Sequence, residues 1–249
     1  MKVSIVTALY NSEPWIRETY LSIKSQSFKN WEWLVTDDCS TDNSVAVIEE
    51  IMSSDSRVKL FKNKVNSGAA VSRNNSIAHA TGDFIAFLDS DDLWSNTKLE
   101  KQLFYMGDEI DFCFTAYELI DGTGQSLNKT VDSSNSGSFS YSDMLKKKAT
   151  LGCSTVILRN NVFKDISMPL LRTGQDYALW LKLLKQNQRA YLLNEVLSQY
   201  RILPNSISRN KIKKSKRQWE IYRDIEKLNL FYSSICFLSY AFRAIFRKQ

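Results

Sequence analysis

Five apolar residues, Phe84-Ile85-Ala86-Phe87-Leu88, run directly into Asp89-Ser90-Asp91-Asp92. An unbroken apolar run of this length predicts a strand buried on both faces, the kind that lies inside a parallel sheet covered by helices. The three carboxylates that follow work against stability, because like charges repel and each must stay hydrated. A divalent metal resolves the conflict: Asp-x-Asp sets two hard oxygen ligands close together, which suits Mg²⁺ or Mn²⁺ with water and phosphate oxygens completing the shell. Helix capping is the competing reading, since Ser90, Asp91 or Asp92 can cap a helix that begins near Leu93, but a cap needs only one of them.

The chain before this run alternates strands and helices. Lys2 to Val6, Trp31 to Thr36 and Arg57 to Phe61 read as strands. Between them lie a helix capped by Ser12 with Pro14 in its first turn, and one starting at Asp42 or Ser44 with Val45, Ile48, Ile51 and Met52 on one stripe. Ala69 to Ala80 is a further helix, stopped by Gly82. Such alternation implies right-handed crossovers and an α/β fold with a mostly parallel central sheet. Thr7, the pair Asp37 and Asp38, and the pair Asp89 and Asp91 then all follow strands, at the carboxyl ends where open parallel sheets bind ligands.

From Lys98 the pattern changes. A helix runs to about Met106, Asp111 to Leu119 reads as a strand, and Asn128 to Ser140 reads as a surface loop. Thr155 to Leu158, Ala190 to Leu193 and Val196 to Tyr200 are short strands, and Asp176 to Lys185 is a helix with Tyr177, Trp180, Leu181 and Leu184 facing inward.

Charge and cysteine usage exclude several classes. The single histidine, His79, disfavours a His-based metal site or a Ser-His-Asp triad. Cys39, Cys113, Cys153 and Cys236 form no Cys-x-x-Cys pair, which argues against a zinc knuckle and fits a reducing cytosol. No signal peptide is read ahead of the strand at Val3. Residues 209–249 hold eleven Lys and Arg against three Asp and Glu, a net of +8, so the rest of the chain is slightly acidic at −2. Nucleic-acid binding over the body is therefore not expected, whereas a polyanionic surface facing the tail is.

That tail has two pieces. Arg209 to Arg217 carries six basic residues and no acid, and Leu228 to Phe242 is largely apolar and aromatic. The apolar piece is shorter than the roughly 20 residues a bilayer span needs, so a helix lying in an anionic membrane interface fits it. A helix packed on the body with a solvated basic face fits it as well.

A metal held by Asp89 and Asp91 could bridge the phosphates of a nucleoside diphosphate and stabilise the charge that builds as the diphosphate leaves. Gly68 permits close backbone approach, and Arg73, one turn into its helix, could pair with a phosphate or with an active-site carboxylate. Tyr10 and Asn11 could offer a stacking ring and an amide, or be a core residue and a turn residue. With a diphosphate leaving group one carboxylate suffices as base, and Asp176, in Gly174-Gln175-Asp176-Tyr177, is the candidate beside its alternative role of favouring a helix start.

Four blocks in order carry a resemblance: Val3-Ser4-Ile5-Val6-Thr7-Ala8-Leu9-Tyr10-Asn11, Trp33 through Asp37-Asp38-Cys39-Ser40 to Asp42, Asn66-Ser67-Gly68 through Arg73-Asn74, and Phe87-Leu88-Asp89-Ser90-Asp91-Asp92. With Gly174-Gln175-Asp176-Tyr177-Ala178-Leu179-Trp180 as a fifth, the sequence resembles glycosyltransferase family 2, the inverting enzymes of GT-A fold, and is similar to bacterial members that build O-antigen, capsule and other surface polysaccharides. The resemblance implies that Thr7 and Asp38 contact a nucleotide base with Tyr10 beside it. It implies that Arg73 and Asp89 hold the ribose and diphosphate region, that Asp91 is the main metal ligand and that Asp176 is the base. Ser154, Gln175 and Trp180 would lie on the acceptor side, and Arg201 with Ser206 to Ser208 in a stretch that closes over the donor. There are departures: Cys39 stands where Gly is usual, Ala8-Leu9 where Pro-Val is common, and Gln175 where Glu is common.

The expectation is thus a GT-A domain over residues 1–208, with a nucleotide-sugar half at about 1–97 and an acceptor half at 98–208, followed by a helical tail at 209–249. Its activity would be metal-dependent, hexosyltransferase-like transfer from a nucleotide donor, a UDP-sugar first, to a hydroxyl of a polyprenyl-diphosphate-linked glycan. It would work in the cytoplasm at the inner-membrane surface. A non-catalytic nucleotide-sugar-binding subunit of a membrane synthase and a nucleotidyltransferase are the rivals. The second lacks the Gly/Arg/Lys-rich triphosphate loop it would need after the first strand.

Overall fold

The computed structural model describes residues 1–203 and 211–246. The first part alternates as the hydrophobic pattern demands: β1 (Val3–Leu9), α1 (Glu13–Lys24), β2 (Trp31–Asp37), α2 (Ser44–Ser54), β3 (Val58–Lys62), α3 (Ala69–Ala78) and β4 (Phe84–Phe87). These four strands are parallel and lie in the order β3-β2-β1-β4. Successive side chains of a strand point to opposite faces, and here both faces are covered. Ile5 and Leu9 of β1 join Ala86 and Leu88 in one core, while Val6 joins Ile85 and Phe87 in the other.

The second part extends the sheet in mixed direction. It comprises β5 (Leu93–Trp94), α4 (Lys98–Met106), β6 (Phe112–Ile120), β7 (Ser126–Val131), β8 (Ser138–Phe139), α5 (Tyr141–Leu145), a 3₁₀ turn at Cys153–Thr155, β9 (Ile157–Arg159), α6 (Gln175–Leu184) and β10 (Ala190–Arg201). The strand order continues from β4 through β9, β6 and β10 to β5, with β7 on β6 and β8 on β10. β9 is antiparallel to both β4 and β6 and so joins the parallel half to the rest.

Four local expectations are corrected. No helix starts at Leu93: β5 pairs antiparallel with β10, and the Trp94 indole donates to the Ser154 carbonyl at 2.7 Å. Part of Asn128 to Ser140 is strand, because an exposed edge strand such as β7 needs no apolar alternation. The two short strands at 190–200 are one strand, β10, whose register shifts between Leu193 and Ser198 interrupt its periodicity. Ser12 makes no side-chain cap on α1; instead Asp42 accepts from Glu13 N and Ser44 N, both at 3.0 Å, so one carboxylate serves the starts of α1 and α2.

The tail forms α7 (Lys211–Glu220), a π-helical turn at Ile221–Ile225 and α8 (Leu230–Phe246). It packs on the body through one side. Ile221, Tyr222 and Cys236 are buried in the core that holds α6. The Tyr222 hydroxyl donates to Leu145 O at 2.5 Å, Ser239 Oγ to Lys146 O at 2.9 Å, and Lys185 pairs with buried Glu226 at 2.6 Å. Among the described residues no helix is long and apolar enough to cross a membrane.

Candidate active site

Because β2, β1 and β4 are adjacent and parallel, Asp38, Tyr10 and Asp89 emerge along one edge of the sheet. Tyr10 stands half exposed there, available for stacking. Asn11 is the turn residue: its φ is +47°, and its Oδ1 accepts from Thr41 N at 2.8 Å.

The acid cluster divides into unlike parts. Asp89 accepts a hydrogen bond from the buried Arg73 guanidinium, so the partner of Arg73 is a carboxylate of the acid cluster. Burial opposes the Arg73 charge, but Cys153, Asp89 and Asp176 outweigh it and hold the pKa above its ordinary value. Asp91 has no side-chain partner among the described residues, and burial together with Asp89 pushes its carboxyl up to about 6. Asp92 is buried and structural. It accepts from Ser154 Oγ at 2.5 Å and from Arg201 N at 2.9 Å, and burial with the neighbouring Asp91 and Asp89 raises its pKa.

Asp38 braces the turn before α3. It accepts from Asn63 Nδ2 and Ser67 N at 2.8 Å and from Gly68 N at 2.7 Å. Gly68 has φ +89° and ψ 164°, a region open essentially to glycine, and an added Cβ would stand 3.3 Å from Arg172 Nη1. Arg172 in turn donates to Asn66 Oδ1 at 3.0 Å, and Asn74 exchanges two hydrogen bonds with Met168, so the 160–174 loop is fastened to α3.

Asp176 lies in the first turn of α6 and makes no cap hydrogen bond; Gly174, at φ +70°, occupies the cap position. Like Asp89, Asp176 lies near enough to Arg73 to favour the charged guanidinium. Beside it, Gln175 Oε1 is buried and without a partner among the described residues, as is Arg73 Nε. α7 crosses the start of α6: Arg217 Nε donates to Thr173 Oγ1 at 3.1 Å, and a Cβ on Gly174 would stand 3.1 Å from Ile221. One turn back on α7, Lys214 feels the Asp176 charge, while burial lowers its own pKa. In the sequence Lys214 is one of a run of basic residues and Arg172 one surface-like arginine; only the folding of two loops over α3 and α6 distinguishes them.

Four expected contacts are reassigned. The buried Thr7 hydroxyl donates to Leu88 O and accepts from the Trp33 indole, both at 2.8 Å, so its side chain ties β4, β1 and β2 together rather than touching a base. Ser154 is buried, bonded to Asp92 and to Asp89 N, and is a brace of the acid loop. Trp180 is fully buried, edge-on to Phe87 with centroids 5.4 Å apart, and belongs to the core. Arg201 is buried and spent on Asp91 O at 2.7 Å, Gly122 O at 3.1 Å and Glu18 at 2.8 Å, so it is not free to meet a diphosphate. Ser206 to Ser208 lie outside the described residues.

The donor set suits a hard divalent cation. Asp91 offers a partly buried carboxylate with no side-chain hydrogen bond among the described residues, and Asp89, whose Oδ1 takes Arg73, adds a second acid. No cluster of three or more His, Cys, Asp and Glu that could hold a metal is present among the described residues, so most of the shell would come from water and ligand oxygens.

Residues 4–166 match the family model described as glycosyl transferase family 2. The chain is 41% identical over 247 residues to TuaG of Bacillus subtilis, named for teichuronic acid biosynthesis, covering 99% of this chain and 97% of that one. It is 40% identical over 224 residues to the Escherichia coli UDP-Glc:alpha-D-GlcNAc-diphosphoundecaprenol beta-1,3-glucosyltransferase WfgD, covering 89% and 85%. Among solved structures, residues 1–349 of S. aureus TarS with UDP-GlcNAc superpose with a TM-score of 0.73 at 23% identity, covering 90% of this chain and 65% of that one.

Proposed function

The chain belongs to glycosyltransferase family 2, and from that premise we propose that it moves a sugar from a UDP-sugar to a hydroxyl of a polyprenyl-diphosphate-linked glycan, with inversion at the anomeric carbon. One observation carries the reading. Asp91, a partly buried carboxylate with no side-chain hydrogen bond among the described residues, stands beside the Arg73–Asp89 pair, and Asp176, from a separate helix, is near enough to favour the charge of the same guanidinium. A fold stabilised for its own sake would not gather such charge in one place.

In the reaction Asp176 takes the proton of the acceptor hydroxyl. The oxygen attacks the anomeric carbon from the face opposite the leaving group, the bond from that carbon to the donor phosphate oxygen breaks, and UDP departs. Mn²⁺ or Mg²⁺ at Asp91 and Asp89 would neutralise the charge that develops on the departing diphosphate. Arg73 fixes the orientation of Asp89 and adds its own positive charge to the site. Asp38 and Gly68 shape the turn that lets backbone approach the nucleotide, and Tyr10 offers a ring to its base. An acceptor-side role for Gln175 is supported by its Oε1, which is buried and without a partner among the described residues.

The acceptor class is supported by WfgD, whose named acceptor is a diphosphoundecaprenol-linked sugar. Such a substrate places the enzyme at the cytoplasmic face of the inner membrane, where 209–249, with its net charge of +8, favours anionic lipid. The testing experiment is calorimetric titration of UDP and GDP with Mn²⁺, with Mg²⁺ and with chelator, on wild type and Asp91→Asn. Tight UDP binding that requires both metal and Asp91 is expected. A metal-dependent preference for GDP would keep the mechanism and replace the donor, and absence of nucleotide binding by folded wild type would overturn the reading.

A further inference from the structure

α8 buries one side and exposes the other. Ser233 and Cys236 are fully buried, and Phe237 packs edge-on against Trp219 of α7 with centroids 5.5 Å apart. On the opposite side Phe231, Ile235 and Leu238 are 77, 40 and 69% exposed. The spacing of four and then three residues sets Phe231, Ile235 and Leu238 on one helical stripe. Scattered exposed apolar residues need no explanation, but an aligned row of large ones does.

We propose that this stripe is a docking surface for an anionic lipid bilayer, with α8 lying in the plane of the interface. It deepens the membrane part of the proposed function, resting on that reading, and assigns the contact to particular residues. Charge selects the occupant. α8 contains no acid and carries Arg243, and residues 209–249 as a whole carry a net charge of +8, so the tail favours a negatively charged surface. A second copy of this chain would bring the same +8 segment against itself, which opposes self-association. Length selects the mode: the seventeen residues of α8 extend only about 25 Å, and the buried side is committed to the body, so the helix lies on the membrane instead of crossing it.

Sedimentation of the full chain with vesicles tests the proposal. Phosphatidylcholine vesicles with about a third phosphatidylglycerol are compared with phosphatidylcholine alone, for wild type and Phe231→Ser/Leu238→Ser. Both residues are exposed, so the variant keeps its core, and an unchanged far-UV circular dichroism spectrum and thermal midpoint confirm that it is folded. Wild type should bind the anionic vesicles, and the variant should bind them roughly tenfold more weakly or worse. Equal binding by the two proteins, or no binding by wild type, overturns the proposal. So does a wild-type dimer that the variant converts to monomer with vesicle binding unchanged, which would make the stripe a self-association surface. Stripe-dependent vesicle binding in a protein that fails to bind any nucleotide would uphold the docking surface while the sugar-transfer reading falls.

Discussion

Arg201 Nε donates to the backbone carbonyl of Asp91 at 2.7 Å across 110 positions of sequence, and this bond, with Arg201 N on Asp92 Oδ1 at 2.9 Å, fastens the acid loop to the end of β10. The same guanidinium reaches Gly122 O at 3.1 Å and Glu18 at 2.8 Å. Arg201→Met should therefore cost about 2–4 kcal/mol, because it removes a buried guanidinium that bonds Asp91 O, Gly122 O and Glu18 at once. Denaturant titration measures the loss. A variant of unchanged stability but weakened UDP binding would return Arg201 to the donor side.

No hydrogen bond to the Asp176 side chain is present among the described residues, and Arg73 keeps its pair with Asp89, so the fold should tolerate an isosteric change there. Asp176→Asn should keep the melting temperature and UDP affinity of wild type and lower kcat by roughly 10²–10⁴. Turnover within threefold of wild type would remove Asp176 from the role of base.

Lys98 is fully buried, donates to Gln102 Oε1 at 2.5 Å and lies 4.1 Å over the Trp94 ring. Burial lowers its pKa from 10.5 to about 7. Above that value the unfolded chain holds a proton that the native chain has released, so stability from this group rises with pH from about 7 toward 10.5. Relative to Lys98→Met, wild type should show a denaturation midpoint that rises from about pH 7 to 8, before unfolded thiols ionise at about 8.5 while burial keeps Cys113, Cys153 and Cys236 protonated in the native chain. In Lys98→Met the rise should flatten; an identical slope would assign it to other groups.

Cys39 adopts φ +66°, a conformation that costs a side-chain-bearing residue about 1 kcal/mol. Cys39→Gly should relieve that strain and raise stability by roughly 0.5–1 kcal/mol, since its Sγ makes only a 3.5 Å contact with Asn63 O. Thermal unfolding should shift upward by about 2 °C. A lower melting temperature would mean that the thiol contact outweighs the backbone strain.

The parallel half of the fold was legible in the sequence because its signals are local. Apolar runs, helical stripes and the carboxylates after them define β1, β2 and β4, and their adjacency puts Asp38 and Asp89 on one edge. The second half was less legible: β7 is a polar edge strand and β10 is broken by bulges, so neither displays the alternation that marks a strand. Among the site residues, Trp180 and Ser154 share sequence blocks with functional residues, yet packing consigns the one to the core and the other to a brace.

By itself the sequence determined the chemistry on offer: an Asp-x-Asp after a buried strand, a base candidate at a helix start, a glycine before α3 and a tail carrying +8. Only the tertiary structure decided how those groups are used. Whether an arginine meets a substrate or a carbonyl depends on which strand its own strand pairs with. β10 lies beside β5, which follows the acid loop directly, so Arg201 is spent on holding Asp91, while Arg73 on α3 is left to pair with Asp89. The tail was settled in the same way. Its pattern admits both burial and exposure, and α8 has one face of each kind because α5 and α7 cover only one side.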